Sequence, residues 1–366
     1  MSNYKLLTPG PLTTTEAVKQ EMLKDRCTWD DDYKNVTQVI RKQLLALAHV
    51  EEPEYTTVLM QGSGSFVVES VLTTAIGDND KVLILTNGAY GERIVEMANV
   101  LKLQHVVYSV PYDEQPSSLE VQAFLEKDAS ITHVAVVHCE TTTGILNPIK
   151  EIGEVVHLFD KTFIVDAMSS FGGVPMDVSN LHIDFCISSA NKCIQGVPGF
   201  GFVIANTKAL EKCKGQARSV ALDLYSQWEV MKQDGKWRFT SPTHVVAAFA
   251  KALEELIDEG GIDARHKRYA HNNHILRSRL SVLGFEAYVS KELQSPIITT
   301  FLFPHNEFTF EHFYQEMKKA GFVIYPGKLT DVDTFRIGNI GDIHEEDMLT
   351  LCEVIENYMV VKTNEN

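Results

Sequence analysis

The stretch His133-Val134-Ala135-Val136-Val137, a polar-edged helix pattern at about 148–159, then Phe163-Ile164-Val165-Asp166 decides the fold. Two short apolar runs without alternation, joined by an amphipathic helix, read as parallel strands buried on both faces with a crossover between them. The same unit recurs outward in both directions. Upstream, strands at 56–60, 82–85 and 105–108 alternate with helices at 65–76, 90–102 and 118–126. Downstream come strands at 185–187 and 200–204. Seven such strands predict an α/β fold: a mostly parallel seven-stranded sheet with helices on both faces.

The texture changes near residue 243. A helix is expected over 245–259, ending at Gly260-Gly261, and a second over 263–283, ending at Gly284. Strand, helix, strand, strand and helix follow at 297–303, 308–320, 322–325, 334–337 and 344–359. This predicts a smaller C-terminal α/β domain. The expected division is an N-terminal extended segment (1–20) packing on the small domain, a large domain (21–245) and the small domain (246–366).

Bulk composition narrows the function. The 366 residues suit two or three domains, and 44% hydrophobic with 22% charged residues is ordinary for a globular chain. Net charge is -16, which disfavours nucleic acid and anionic membrane as partners, since both call for a basic face. No apolar run approaches the ~20 residues of a membrane span. Met1–Leu12 lacks a basic-then-apolar leader pattern, and the six cysteines include no C-x-x-C pair, so reduced thiols and a cytoplasmic location are expected. Thirteen histidines show no metal-ligand spacing.

Chemistry concentrates after the strands. Asp166 ends one, and Lys192 follows another in Ser188-Ser189-Ala190-Asn191-Lys192-Cys193. A Lys and an Asp at neighbouring strand ends suit pyridoxal 5'-phosphate: the amine forms a Schiff base with the aldehyde, and the carboxylate keeps the pyridine nitrogen protonated. Cys193, next door, reads as a small buried filler rather than a nucleophile. The loop Gln61-Gly62-Ser63-Gly64-Ser65-Phe66 opens a helix, and its small residues let backbone N–H groups approach a phosphate. It is equally a plain strand–helix turn, and it fits neither nucleotide pattern: G-x-x-x-x-G-K-[ST] is absent, and position 67 is Val where G-x-G-x-x-G needs Gly. Tyr90 either stacks on a flat ring or packs at a helix start. Glu140-Thr141-Thr142-Thr143-Gly144 either offers hydroxyls to a ligand or caps a turn. Arg336, inside the apolar run Phe335–Gly338, suits a carboxylate or phosphonate, or a salt bridge to one of the chain's many acids. Convergence favours a site, because doubly wound sheets bind ligands beyond the carboxyl ends of their strands.

These residues resemble the fold-type I pyridoxal-phosphate aminotransferases of the alanine–glyoxylate/serine–pyruvate branch. The likeness runs nearly end to end, through Leu7-Thr8-Pro9-Gly10-Pro11, the Gln61–Phe66 loop, Asn87–Arg93, Glu140–Gly144, Asp166–Gly173, Ser188–Phe200 and Phe335–Gly341. Within the branch, Cys27-Thr28-Trp29-Asp30-Asp31-Asp32-Tyr33 and Lys236–His244 resemble the transaminases that act on 2-aminoethylphosphonate.

The resemblance implies that Lys192 carries the cofactor and Asp166 pairs with its ring nitrogen. Tyr90 would stack on the ring, Thr142 would bond the ring oxygen, and Ser63, Gly64 and Ser65 would hold the phosphate. Thr240, Ser241 or Thr243 would help hold the phosphate of a second copy, making the active unit a homodimer. Arg336, with backbone contact from Gly10, would bind the acidic end of each substrate. Amino transfer from 2-aminoethylphosphonate to pyruvate, in phosphonate degradation, is the implied reaction. An alanine–glyoxylate or serine–pyruvate aminotransferase is the alternative. A cysteine desulfurase would need a mobile catalytic Cys, and a nucleotide-binding or scaffold protein would leave Lys192 without a role.

Overall fold

The computed structural model describes residues 4–329 and 331–365, the last five by backbone alone. The chain begins with β1 (Lys5–Leu6), α1 (Glu16–Gln20) and α2 (Asp31–Leu47). The alternating part follows: β2 (Tyr55–Gln61), α3 (Gly64–Ala75), β3 (Lys81–Thr86), α4 (Ala89–Val100), β4 (Gln104–Ser109), α5 (Ser118–Lys127) and β5 (His133–Val137). A small hairpin, β6 (Cys139–Glu140) with β7 (Ile145–Leu146), precedes α6 (Ile149–Leu158), β8 (Thr162–Asp166), β9 (Phe185–Ser189) and β10 (Phe200–Asn206). Then come α7 (Thr207–Lys212), α8 (Leu224–Asp234), α9 (Thr243–Asp258), α10 (Gly261–Val282), β11 (Ile298–Leu302), α11 (Phe310–Lys319), β12 (Phe322–Val323), β13 (Tyr325–Pro326), β14 (Thr334–Gly338) and α12 (Glu345–Glu365).

The large sheet has seven strands in the order β2-β10-β9-β8-β5-β3-β4. Only β10 runs against its two neighbours, and every other pairing is parallel. Side chains alternate across the sheet with the period of two that a pleat imposes. Leu83, Val134, Val136, Phe163 and Val165 enter one core, and Val82, Ile84, Ala135, Val137 and Ile164 enter the other. The same buried strands therefore serve two layers of helices, which is why their sequence is apolar without alternation.

Six strands point the same way, so the carboxyl ends of β2, β3, β5, β8 and β9 meet along one edge. The phosphate-type loop, Tyr90, the Thr-rich turn, Asp166 and Lys192 follow those five ends.

The smaller sheet is antiparallel, β11-β14-β13, over a core rich in phenylalanine that includes Phe285, Phe301, Phe308, Phe313 and Phe335. The N-terminal segment joins it: β1 pairs in parallel with β12, Lys5 opposite Phe322, and Leu7 enters the same core. Met1–Asn3 lie outside the described residues. α9 packs Val246, Phe249 and Leu253 into a core of the large sheet, and the expected boundary at 245–246 falls near the start of that helix. The single strand expected at 322–325 is two pieces, β12 pairing with β1 and β13 with β14. α1 is followed directly by a 3₁₀ turn, Glu21–Leu23. No helix among the described residues is long and apolar enough to cross a membrane.

Candidate active site

A cleft of about 580 Å³ opens at the shared strand edge, lined among others by Ser63, Gly64, Ser65, Tyr90, Asp166 and Lys192. A larger groove of about 830 Å³ runs along α10 and holds none of the expected site residues.

Lys192 sits on the tight turn after β9. The turn is closed by Gln195 N–H donating to Lys192 O at 2.8 Å and Gly196 N–H to Ala190 O at 2.9 Å. Gln195 takes a left-handed backbone, φ 70, which is costly for a residue with a side chain. Its amide offsets that cost by donating to Tyr269 Oη at 2.7 Å and Gly341 O at 2.6 Å. Lys192 Nζ donates to Pro9 O at 2.8 Å. Burial holds its pKa below the usual lysine range, against the opposing pull of Tyr90, Cys193 and Asp166. A larger fraction of this amine is therefore neutral, and so nucleophilic, than of a surface lysine.

Gly10 abuts that amine. A Cβ there would stand 2.8 Å from Lys192 Cδ and 2.9 Å from Nζ, and the backbone has φ +120. Only glycine lets the N-terminal segment lie against the lysine without clash or strain.

Asp166 ends β8 and is buried. One oxygen, Oδ1, accepts from Met168 N–H at 2.9 Å. Burial pushes its carboxyl up to about 6, with the backbone hydrogen bond and the charges of Lys192 and Arg93 pulling the other way. A buried carboxylate in that state gains from a cationic partner.

The loop before α3 is built for close approach. Gly62 has φ +116, and a Cβ on Gly64 would stand 2.5 Å from Met168 Sδ. Ser63 caps α3 by position only, its side chain making no cap hydrogen bond. Its hydroxyl, the first-turn amides and the positive end of the helix dipole together suit a phosphate. Ser65 Oγ accepts from Arg93 Nη1 at 3.3 Å, which brings a further cation to the loop.

Tyr90 sits in the first turn of α4 with Arg93 4.9 Å and Lys328 Nζ 4.3 Å from its ring centre. Burial raises its phenol pKa, but the charges of Lys192 and Lys328 outweigh burial and the net shift is downward.

The hairpin after β5 adds a residue that the sequence reading left unassigned. Glu140 is fully buried. Its Oε2 accepts from Tyr90 N–H and Gly91 N–H at 3.1 Å each, and its Oε1 from Thr142 N–H at 3.1 Å and Thr142 Oγ1 at 2.7 Å. The carboxylate thus caps α4 and fastens Thr142 to the helix that carries Tyr90. Burial raises its pKa even against those four donors. Thr142 Oγ1 also accepts from Ala89 N–H at 3.1 Å. A buried acid in a turn of buried threonines was the available sequence signal, because such an acid must find donors.

Arg336 is buried on β14. Nη1 donates to Thr141 O and Nε to Pro326 O, each at 3.0 Å, and burial lowers the guanidinium pKa against the opposing pull of Tyr90. Among the described residues it has no ion pair, so the salt-bridge alternative finds no partner. Thr240, Ser241 and Thr243 do not line the cleft of their own chain. Ser241 is buried and shares a 2.6 Å hydrogen bond with Tyr33 Oη. Cys193 is buried, its thiol donating to Ser169 O at 3.2 Å and its pKa pushed up to about 12 by burial, which leaves it inert. The described residues contain no cluster of His, Cys, Asp or Glu arranged to hold a metal.

The donor set fits pyridoxal phosphate: a neutral-leaning, half-buried amine, a buried carboxylate short of a cation, and a small-residue helix start facing the same space. Comparison with known proteins points the same way. Residues 28–328, which include Asp166 and Lys192, match the aminotransferase class-V family, whose members depend on pyridoxal phosphate. Solved structures share the fold. A ureidoglycine–glyoxylate aminotransferase from Bacillus subtilis superposes with a TM-score of 0.90 at 22% identity, covering 99% of this chain and 94% of its own. A pyridoxamine–pyruvate aminotransferase from Mesorhizobium loti gives 0.90 at 22%, covering 99% and 93%. In sequence, the chain is 88% identical over 366 residues, all of both chains, to a 2-aminoethylphosphonate–pyruvate transaminase of Lysinibacillus sphaericus. It is 57% identical over 361 residues, 98% of this chain and 99% of the other, to one of Bacillus cereus. Cleft, fold and full-length identity agree, and the chain belongs to the class-V aminotransferases, in the family of the 2-aminoethylphosphonate–pyruvate transaminases.

Proposed function

We propose that this chain moves the amino group of 2-aminoethylphosphonate to pyruvate, giving phosphonoacetaldehyde and L-alanine, with pyridoxal phosphate as cofactor. One observation carries the chemistry: a half-buried lysine of lowered pKa and a buried carboxylate of raised pKa line one cleft with a phosphate-type loop. The choice of substrates rests on the names of the relatives of high identity.

Pyridoxal phosphate, when bound, supplies an aldehyde for amines and a ring that draws electrons from the carbon bearing nitrogen. The remaining work falls to the chain. Ser63, Gly64 and Ser65 hold the phosphate at the start of α3. Asp166 keeps a proton on the ring nitrogen, which also relieves its own burial. Tyr90, which lines the cleft, would pack against the ring. Thr142, whose hydroxyl Glu140 fixes in place, would stand beside the ring oxygen. Lys192 anchors the cofactor. Its amine, whose pKa burial depresses, would also suit the transfer of a proton from the substrate carbon bearing nitrogen. Arg336 takes the phosphonate in one half-reaction and the carboxylate in the other, and Gly10 keeps the N-terminal segment close enough to contribute backbone contact.

The active unit in this reading is a cytoplasmic homodimer. Thr240, Ser241 and Thr243 would serve the second copy's phosphate, which accounts for their standing apart from their own cleft. Exposed Trp29, Phe66 and Phe239 suit burial in such an interface. Incubation of the loaded enzyme with 2-aminoethylphosphonate and pyruvate tests the reading. It predicts L-alanine and phosphonoacetaldehyde in equal amounts. Turnover of serine or alanine with glyoxylate, but not of the phosphonate, would overturn it.

A further inference from the structure

Two cations converge on Tyr90 from the small domain, and only one has a role so far. Arg336 is buried, donates to Thr141 O at 3.0 Å, and interacts electrostatically with the phenol. Lys328, exposed on the segment between β13 and β14, donates from Nζ to Tyr90 Oη at 3.1 Å and stands 4.3 Å from the ring centre. Both approach a side chain that lines the cleft.

The two acidic groups this site must accept differ in oxygen count and charge. A carboxylate has two oxygens and one charge, which the fork of Arg336 matches alone. A phosphonate has a third oxygen and a second ionisation, and a fork leaves both unmet. We propose that Lys328 is the specificity-determining residue for the phosphonate: its ammonium binds the third oxygen while Arg336 binds the other two. An ammonium carries three donors, so it can keep its hydrogen bond to Tyr90 and still reach an oxyanion. Tyr90 thereby ties Lys328 to the cleft. Lys328 is dispensable for pyruvate, whose carboxylate is satisfied by Arg336. This inference rests on the phosphonate reading above.

The test measures binding of two unreactive ligands, ethylphosphonate and propionate, to the loaded enzyme by calorimetry, in wild type and Lys328→Met. The wild type is expected to bind ethylphosphonate more tightly. In Lys328→Met its dissociation constant should rise on the order of tenfold, as for one charge-assisted hydrogen bond, while that of propionate stays within about twofold. Lys328→Arg should restore most of the preference. Parallel losses for both ligands would mean that Lys328 only props Tyr90, and an unchanged ethylphosphonate affinity would mean that it does not touch the anion; either overturns the inference while leaving the reaction intact. Wild type that ignores ethylphosphonate would overturn the phosphonate reading itself, and the inference with it. Lys328 is exposed, so the substitution spares the fold, and circular dichroism checks that it does.

Discussion

Asp166→Asn separates what this carboxylate costs from what it does. In the cofactor-free protein burial raises its pKa from 3.8 to about 6. At about 1.4 kcal/mol per pH unit, keeping it ionised costs on the order of 3 kcal/mol of stability. The sign follows from which state binds the proton more tightly. Well below pH 3.8 the carboxyl is neutral whether folded or unfolded, and no cost arises. As pH rises toward about 6, the unfolded chain releases its proton first, and the folded protein loses stability up to the full amount. Asn has no charge to bury and retains an oxygen for Met168 N–H. Urea unfolding of cofactor-free wild type and Asp166→Asn, between about pH 4 and pH 8, should show the variant more stable by up to about 3 kcal/mol near pH 8 and by only about 0.5 kcal/mol near pH 4. Loading with cofactor should shrink or reverse the gap, because the wild-type carboxylate then has its cation, and the variant should lose nearly all turnover. A variant less stable than wild type at pH 8 without cofactor, or a gap independent of pH, would refute the reasoning.

Gly10→Ala should push Lys192 off its position and force a strained backbone, costing about 1–3 kcal/mol and at least roughly tenfold in kcat/KM, as measured by steady-state kinetics beside a melting curve. Glu140→Ala strands four buried donors and should lower unfolding free energy by about 3 kcal/mol or more in urea; a loss under about 1 kcal/mol would deny it the capping role. Arg336→Lys keeps the charge but loses the fork, so KM should rise for both 2-aminoethylphosphonate and pyruvate on the order of tenfold, and unchanged values for both would sink its role.

Much of this was legible because burial wrote itself into composition. Runs such as Val82–Leu85 and Phe163–Val165, apolar at every position, mean a strand covered on both faces, and the helix patterns between them fixed the parallel direction. From that direction alone the strand ends carrying Tyr90, Asp166 and Lys192 had to meet. The short elements escaped. β12 and β13 read as one strand because nothing local marks the change of partner from β1 to β14. α7 and α8 went unread among the polar residues of 207–234.

In the site, what was missed acts through other residues. Glu140 reaches the ring side of the cleft through backbone amides of α4 and the hydroxyl of Thr142, and no spacing rule encodes those contacts. Arg93 and Lys328 are ordinary surface-type cations in sequence, and only the fold sets both against one tyrosine ring. Arg336 was the opposite case: an arginine in an apolar strand announces an anion, and the sequence could not say whether that anion was a neighbouring carboxylate or a ligand.

The measurement closest to the central claim is the visible absorbance of the cofactor-loaded protein during stepwise addition of 2-aminoethylphosphonate and then pyruvate, with Lys192→Ala alongside. The account predicts that the yellow band of the lysine-bound cofactor disappears with the first substrate and returns with the second, and that the variant never shows that band. A band that persists through 2-aminoethylphosphonate, or a Lys192→Ala protein whose spectrum and turnover match wild type, would contradict it.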